Sequence, residues 1–345
     1  MPAWLGDFVC AEPFVRAVHA RRRELGTASL LSLAGPKRFL DLFDGMFPEA
    51  RRLPYDRRPR ARDWRGHDTA VLLTGSFRSA WIARRAGIPR RVGWSRDMRG
   101  WLLTDAPRPS RERGAVPVGL GLHGRGPRYL PRPFVASCAD LGAYLNLETL
   151  ARGAHLEVTD EALDAATGRL AVMGVRLDQP FLLINVGGRP DSAKAWLPRH
   201  WTRLLESLAI HFDLPLVLVC GPGEEEVLGE VLESARAQTL CPLIEPPVEL
   251  PELAALASRA AVFITTDTGP RHVAAAVGAS VACVFGPTDP RHTGHDTTRT
   301  ECLRIEVPCG PCHKERCPLG GVEHHACMRL LEPEPVIAAT RRLLT

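Results

Sequence analysis

The stretch Ile264–Pro290, ITTDTGPRHVAAAVGASVACVFGPTDP, decides the architecture. The apolar run Ala261–Thr265 leading into it has the length of a buried strand. Thr266-Asp267-Thr268-Gly269-Pro270 then breaks that run with residues that cap helices, and Pro270 suits a first helical turn. Ala274, Ala275, Ala276 and Gly278 let the helix lie close to a sheet, and Ser280–Phe285 reads as the next strand. A helix start leaves N–H donors unpaired and carries the positive end of the macrodipole, so a diphosphate can be held there without a metal. The plainer alternative is an ordinary capped crossover helix, since Asp and Thr cap helices everywhere. His272, one turn in, either touches the same phosphate or packs.

Outward from this stretch the same grammar repeats. Strand Phe181–Val186, helix Pro198–Phe212, strand Leu214–Cys220, helix Glu224–Ala237 and helix Leu250–Ser258 precede it, and a last helix spans Pro333–Leu344. Strands at helical spacing imply βαβ units and a parallel sheet. The N-terminal half is less regular: a helix near Cys10–Leu25, a strand Ala28–Leu33, a helix Pro36–Phe43, a strand Thr69–Leu73 and a helix Phe77–Ala86. Two doubly wound α/β lobes are the simplest fit, 1–175 and 176–345, divided near Gly174–Pro180. Pro107–Pro133, rich in Pro, Gly and Arg, reads as a long loop facing an acceptor. Trp4-Leu5-Gly6-Asp7 leads straight into helix, so the first strand expected of such a lobe is missing; a start codon assigned too late is favoured over a lobe that tolerates the loss and exposes strand edges.

The 345 residues, 45% apolar and 24% charged, make an ordinary globular composition, and no apolar run approaches the roughly 20 residues needed to span a bilayer. With no secretory signal pattern, the chain reads as cytoplasmic. Up to Leu170 there are 28 basic and 18 acidic residues, and beyond it 16 and 21. A basic first lobe points to an anionic partner, with Arg solvated on helix faces as the bland alternative. Only Lys37, Lys194 and Lys314 among the 44 basic residues are lysines, which makes their retention informative.

WLGDFVCAEPFVRAV (Trp4–Val18), LLTGSFRSAWIARRAGIPRRVGWSRDMRGWLLTD (Leu72–Asp105), Lys194-Ala195-Trp196, DTGPRHVAAAVG (Asp267–Gly278) and FGPTDP (Phe285–Pro290) together resemble the lipopolysaccharide heptosyltransferases of glycosyltransferase family 9, most closely the heptosyltransferase II branch. The resemblance implies a GT-B fold of two Rossmann-like lobes, the first for the acceptor and the second for the nucleotide sugar. It implies inverting transfer of L-glycero-D-manno-heptose from ADP-heptose to the lipid A-linked inner core, with no cofactor or divalent ion for catalysis. A peripheral position on the inner face of the cytoplasmic membrane follows, with no nucleic-acid partner. Alternatives are another family 9 transferase with a different sugar or acceptor, a non-catalytic sugar-nucleotide-binding protein, and a GT-B-like epimerase.

By the same resemblance Asp7, in the family's Gly-Asp motif, is the base that takes the acceptor proton; read alone, it is equally an N-cap for a helix from Phe8. Lys194 and the helix start at Thr268–Gly269 would meet the charge that builds on the leaving diphosphate, an exposed loop lysine being the plain reading. Lys194 follows a strand end, where doubly wound sheets bind ligands. Asn185-Val186-Gly187-Gly188-Arg189 departs from the Pro-Gly-Ala usual in the family before this lysine. Asp267 orients the turn or touches the donor. Glu225, within Glu224–Glu226, reaches the ribose or simply completes a charged first helical turn. Arg78, Arg96 and Arg99 suit acceptor carboxylates or phosphates.

Six cysteines, Cys10, Cys138, Cys220, Cys241, Cys283 and Cys302, are scattered and mostly sit in apolar contexts. Cys309, Cys312, Cys317 and Cys327 cluster in PCGPCHKERCPLGGVEHHACM, beside His313, His324 and His325. Four thiols this close suggest a structural Zn2+ first, an iron–sulfur cluster second, and free or disulfide-forming thiols third. The segment is taken as a clamp on the loop before the last helix.

Overall fold

A computed structural model of the chain describes residues 1–56, 58–109, 113–117, 128–129, 131–148, 153–189, 191–237, 239–292 and 299–345. The chain divides into two compact units, Met1–Glu112 with Arg132–Glu157, and Arg113–Pro131 with Val158–Thr345.

In the first unit, α1 (Leu5–Cys10) and α2 (Glu12–Glu24) replace the single expected helix, because Pro13 opens a new helical turn after Ala11. A 3-10 turn at Ala28–Leu30 precedes β1 (Ser32–Pro36), so the expected strand lies four residues late. Then come α3 (Lys37–Leu40), β2 (Arg51–Tyr55), β3 (Thr69–Leu72), α4 (Phe77–Arg85) and β4 (Arg90–Gly93). β2 and β4, written RRLPY and RRVG, carry too little apolar alternation to be read as strands from sequence. β1 pairs in parallel with β2, and β3 with β4; among the described residues the two pairs are not joined into one sheet. Ala11, Phe14, Leu73, Val92, Trp94, Cys138 and Leu141 form one core of this unit.

β5 (Arg113–Pro117) and β6 (Arg128–Tyr129) form a short antiparallel pair inside the expected long loop; residues 110–112, 118–127 and 130 of that loop lie outside the described residues. α5 (Phe134–Tyr144) returns to the first unit, packing on α1 and α2.

The second unit opens with α6 (Asp160–Val172), whose Ala166 and Leu170 are buried with Phe181, Leu183 and Leu256. That burial moves the boundary from the expected 175 back to residue 158. There follow β7 (Leu182–Asn185), α7 (Pro198–His211), β8 (Leu216–Val219), α8 (Glu225–Ser234), β9 (Leu240–Pro242), α9 (Leu250–Arg259), β10 (Val262–Thr266), α10 (Gly269–Ala276), β11 (Val281–Val284), β12 (Thr300–Leu303), α11 (Ala326–Arg329) and α12 (Glu334–Leu344). The six strands form one parallel sheet in the order β12-β11-β10-β7-β8-β9. Every residue of β7, β8, β10 and β11 is buried, as a sheet covered on both faces requires. One face packs Leu182, Ile184, Leu218 and Val284 under Trp196, Trp201, Leu205, Val231 and Val336. The other packs Leu183, Val217 and Phe263 under α6, α9 and α10. Each fully buried large apolar side chain is worth roughly 1.5–3 kcal/mol, so these layers supply most of the unit's cohesion. Among the described residues no helix is long and apolar enough to cross a membrane.

Candidate functional site

β7 and β10 are neighbours in the sheet, yet the chain leaving β7 passes to α7 on one face and the chain leaving β10 passes to α10 on the other. The strand order reverses between them, and the crevice at their C-terminal ends is where doubly wound sheets take ligands. Lys194 arrives there from the β7 side and Asp267 from the β10 side.

The Lys194 ammonium donates to the Asp267 carbonyl at 2.8 Å and to its Oδ2 at 3.1 Å. Thr288 donates its hydroxyl to the same Oδ2 at 2.5 Å, and Arg271 Nε lies 3.3 Å from Oδ1. Asp267 is 2% exposed. Burial alone would push its carboxyl up, but Lys194 and Arg271, helped by the Thr288 hydrogen bond, hold it below the usual carboxylate range. Two cations against one carboxylate leave one positive charge, and Lys194 is the partner with side-chain exposure, 35%.

Thr268 precedes α10 in an extended conformation without capping it through its side chain, and Thr268 and Gly269 are half-buried at the helix start. His272 is buried, and its Nε2 lies 3.2 Å from Arg271 Nη2, which donates to it. Of its two sequence readings, packing is the one this geometry favours.

The turn after β7 is held from below. Glu224 Oε1 accepts from the Gly188 amide at 2.7 Å and Oε2 from the Gly221 amide at 2.9 Å, tying the turns after β7 and β8 together. Gly188 has φ +113°, and a Cβ there would stand 2.8 Å from the Ala195 Cα, so only glycine fits. Glu224, one residue before the expected Glu225, therefore does the tying. Glu225 opens α8, and backbone N–H groups there keep its carboxyl low.

Residues 138–323 match the sequence profile of glycosyltransferase family 9 (heptosyltransferase), more than half of the chain. The chain belongs to glycosyltransferase family 9. It is 23% identical over 360 residues to lipopolysaccharide heptosyltransferase 2 of Escherichia coli K12, covering 99% of this chain and 97% of that one. Lipooligosaccharide heptosyltransferase 2 of Campylobacter jejuni (serotype O:2) is 27% identical over 49% of this chain, and the match spans only about half of that relative's length, 53%. Among solved structures, the family 9 glycosyl transferase of Veillonella parvula superposes with a TM-score of 0.76 at 19% identity, covering 100% of this chain and 95% of that one. E. coli ADP-heptose lps heptosyltransferase II superposes at 0.70 with 21% identity, covering 99% and 96%. These likenesses show the fold alone, the α/β GT-B type.

In this family 9 chain the cysteine-rich segment also reaches the Lys194 turn. Ala193, next to Lys194, donates its amide to the Glu315 carbonyl at 2.8 Å, and its carbonyl accepts from His325 Nε2 at 2.9 Å. Arg316 pairs with Asp191. The segment straps the Lys194 turn, and its Val322 carbonyl also accepts from Arg329 Nη2 at 2.6 Å, ahead of α12. It also carries His313 close enough to Lys194 and Asp267 to feel their charge; burial, then the neighbouring His292, push its imidazole below the usual histidine range. Among the described residues the buried Nε2 atoms of His313 and His292 have no hydrogen-bond partner. Sequence reading set His313 only beside the thiols and passed over Thr288 and Arg271, since nothing in their spacing tells which strand end they approach.

The metal expectation is not supported. Burial first, and then the other cluster cysteines, push the Cys309 thiol up and the Cys327 thiol to about 11. Yet among the described residues no three His, Cys, Asp or Glu side chains are gathered to hold a metal. Cys327 packs against the second unit's core, and the Cys317 sulfur already accepts from the His325 amide at 3.2 Å.

In the first unit Asp7 is half-buried and lies inside α1, at its third residue, with Trp4 as the N-cap. The N-cap alternative therefore falls, and its carboxylate instead complements the positive helix start. It also reaches α5: after burial, Asp7 is the next influence raising the Cys138 thiol. Arg78 and Arg96 are exposed. Arg99 is not: it is fully buried, donating Nε to the Trp94 carbonyl at 3.0 Å and Nη1 to the Ser76 carbonyl at 3.3 Å. Burial lowers its guanidinium to about 10. It braces the β4 turn and is withdrawn as an acceptor contact; a Cβ on Gly93 would stand 3.0 Å from its Nη2.

Proposed function

We propose that this chain is an inverting heptosyltransferase that moves L-glycero-D-manno-heptose from ADP-heptose to the lipid A-linked inner core of lipopolysaccharide. The observation that carries the reading is the Lys194–Asp267–Arg271 network at the strand-order reversal beside the α10 start. It supports a diphosphate site with fixed positive charge in a chain that matches one heptosyltransferase, that of Escherichia coli, along 97% of its length.

The acceptor hydroxyl attacks the anomeric carbon from the face opposite the diphosphate, and Asp7 takes its proton as the new C–O bond forms. The bond from the anomeric carbon to the diphosphate oxygen breaks, and ADP leaves with the electron pair. Lys194 and the N–H groups at Thr268–Gly269 stabilise that developing charge, an interaction stronger in the transition state than in the ground state. Asp267 holds and aims Lys194 through its carbonyl and carboxylate. Arg78 and Arg96 suit the acceptor's carboxylates and phosphates. The work would be done in the cytoplasm at the inner membrane face.

The test is ADP release from ADP-heptose with and without a heptose-deficient inner-core acceptor. Acceptor-dependent release is expected, abolished by Asp7→Asn with ADP binding kept. Release without acceptor, or activity surviving in the variant, would sink the reaction or the base respectively. No metal is assigned to Cys309, Cys312, Cys317 and Cys327; stoichiometric zinc in the purified protein would restore that reading.

A further inference from the structure

Helix α4 has one face that the fold does not use. Ala80 and Ala83 turn inward and are fully buried, while Phe77, Arg78, Trp81, Arg84 and Arg85 lie together on the outer side, at helical spacing. Phe77 is 43% exposed and Trp81 40%, their rings stacked with centroids 6.4 Å apart. The turn after β4 adds Trp101, 61% exposed and 6.0 Å from Phe77. The Arg84 guanidinium sits 5.5 Å from the Trp101 centroid.

Single exposed aromatics are common and mean nothing, but three rings in contact form a continuous apolar surface left open to water. The charge on α4 itself is one-sided, with Asp97 near its start. α4 contains no acidic residue, and among the described residues Arg78, Arg84 and Arg85 make no ion pair. A protein partner would need a complementary acidic and apolar face. Flat aromatic rings flanked by unpaired guanidiniums match an anionic lipid surface, where indoles settle at headgroup depth and arginines meet phosphates.

We propose that the Phe77–Trp81–Trp101 patch with Arg84 and Arg85 is a docking surface for an anionic phospholipid bilayer. The proposal deepens the lipid-linked acceptor reading above and gives it a physical place on the first unit. Docking by a few rings and charges is reversible, as an enzyme that must move between acceptors requires.

The test is sedimentation of the full-length protein with vesicles of mixed phosphatidylglycerol and phosphatidylcholine, and with phosphatidylcholine alone. Binding is expected to the first and to be weak on the second, and to fall as salt rises. Trp81→Ser with Trp101→Ser should reduce it at least about tenfold, and Arg84→Gln with Arg85→Gln roughly five- to twenty-fold. Tryptophan quenching by brominated phospholipid, present in the wild type and lost in the double tryptophan variant, reads the same contact in the intact fold. Equal binding to both vesicle types, no quenching in the wild type, or unchanged binding in the variants overturns the proposal. Transfer to a soluble, delipidated acceptor should be unaffected by these substitutions, while transfer to vesicle-embedded acceptor drops. If no transfer is seen with either acceptor, the reaction fails while the vesicle measurement still stands.

Discussion

Replacing Asp267 with Asn tests whether the site is an electrostatic balance awaiting a diphosphate. The amide keeps the size of the carboxylate and can still accept from Thr288, but it leaves Lys194 and Arg271 facing each other without their counter-charge. Removing one partner of a buried ion pair costs about 3–5 kcal/mol, and the partial exposure of Lys194 argues for the lower end. For a unit of this size, ~3 kcal/mol corresponds to a melting point lower by roughly 6–12 °C. ADP brings negative charge to the same two cations, so it should raise the melting point of Asp267→Asn by more than that of the wild type. Thermal unfolding with and without ADP reads both effects. The pH dependence has a defined sign: the folded carboxyl titrates below its unfolded value of about 3.9, so its contribution is complete above that pH and is lost as pH falls through the folded value. The variant should lack that acid limb. A variant melting within about 1 °C of the wild type, with an equal ADP shift, would refute the balance and with it the argument that Lys194 is poised by Asp267.

Lys194→Met should cut kcat by about 100- to 1,000-fold, the scale for losing one preorganised group at a developing charge, with a smaller loss of ADP affinity; steady-state kinetics and ADP titration separate the two, and an unchanged kcat would remove Lys194 from the chemistry. His325→Ala unties the Ala193 carbonyl and should lower kcat/KM roughly tenfold at a stability cost of only about 1 kcal/mol, because Lys194 loses its aim. Unchanged kinetics would mean that the cysteine-rich strap is packing alone.

The second unit was readable because a parallel sheet covered on both faces demands uninterrupted apolar strands, and Phe181–Val186, Leu214–Cys220, Ala261–Thr265 and Ser280–Phe285 each fall within a residue or two of a strand found. β12 escaped because Thr300–Leu303 is a half-exposed edge strand without an apolar run. The first unit was harder because β2 and β4 open on exposed or half-buried arginines and β4 buries only Val92 and Gly93, too short a run to read as a strand.

What the sequence determined by itself was the alternation of strands and helices, the helix start at Thr268–Gly269 and the singular Lys194. These are local properties, set by apolar period and by backbone groups left unpaired within a few residues. Only the tertiary structure decided partnership: that Lys194 meets Asp267, 73 residues away, that Glu224 ties two turns, that Arg99 is a buried brace, and that the cysteine-rich segment grips Ala193. Each depends on which strand ends lie side by side in the sheet, and strand order is fixed by packing between distant segments, which no local pattern carries.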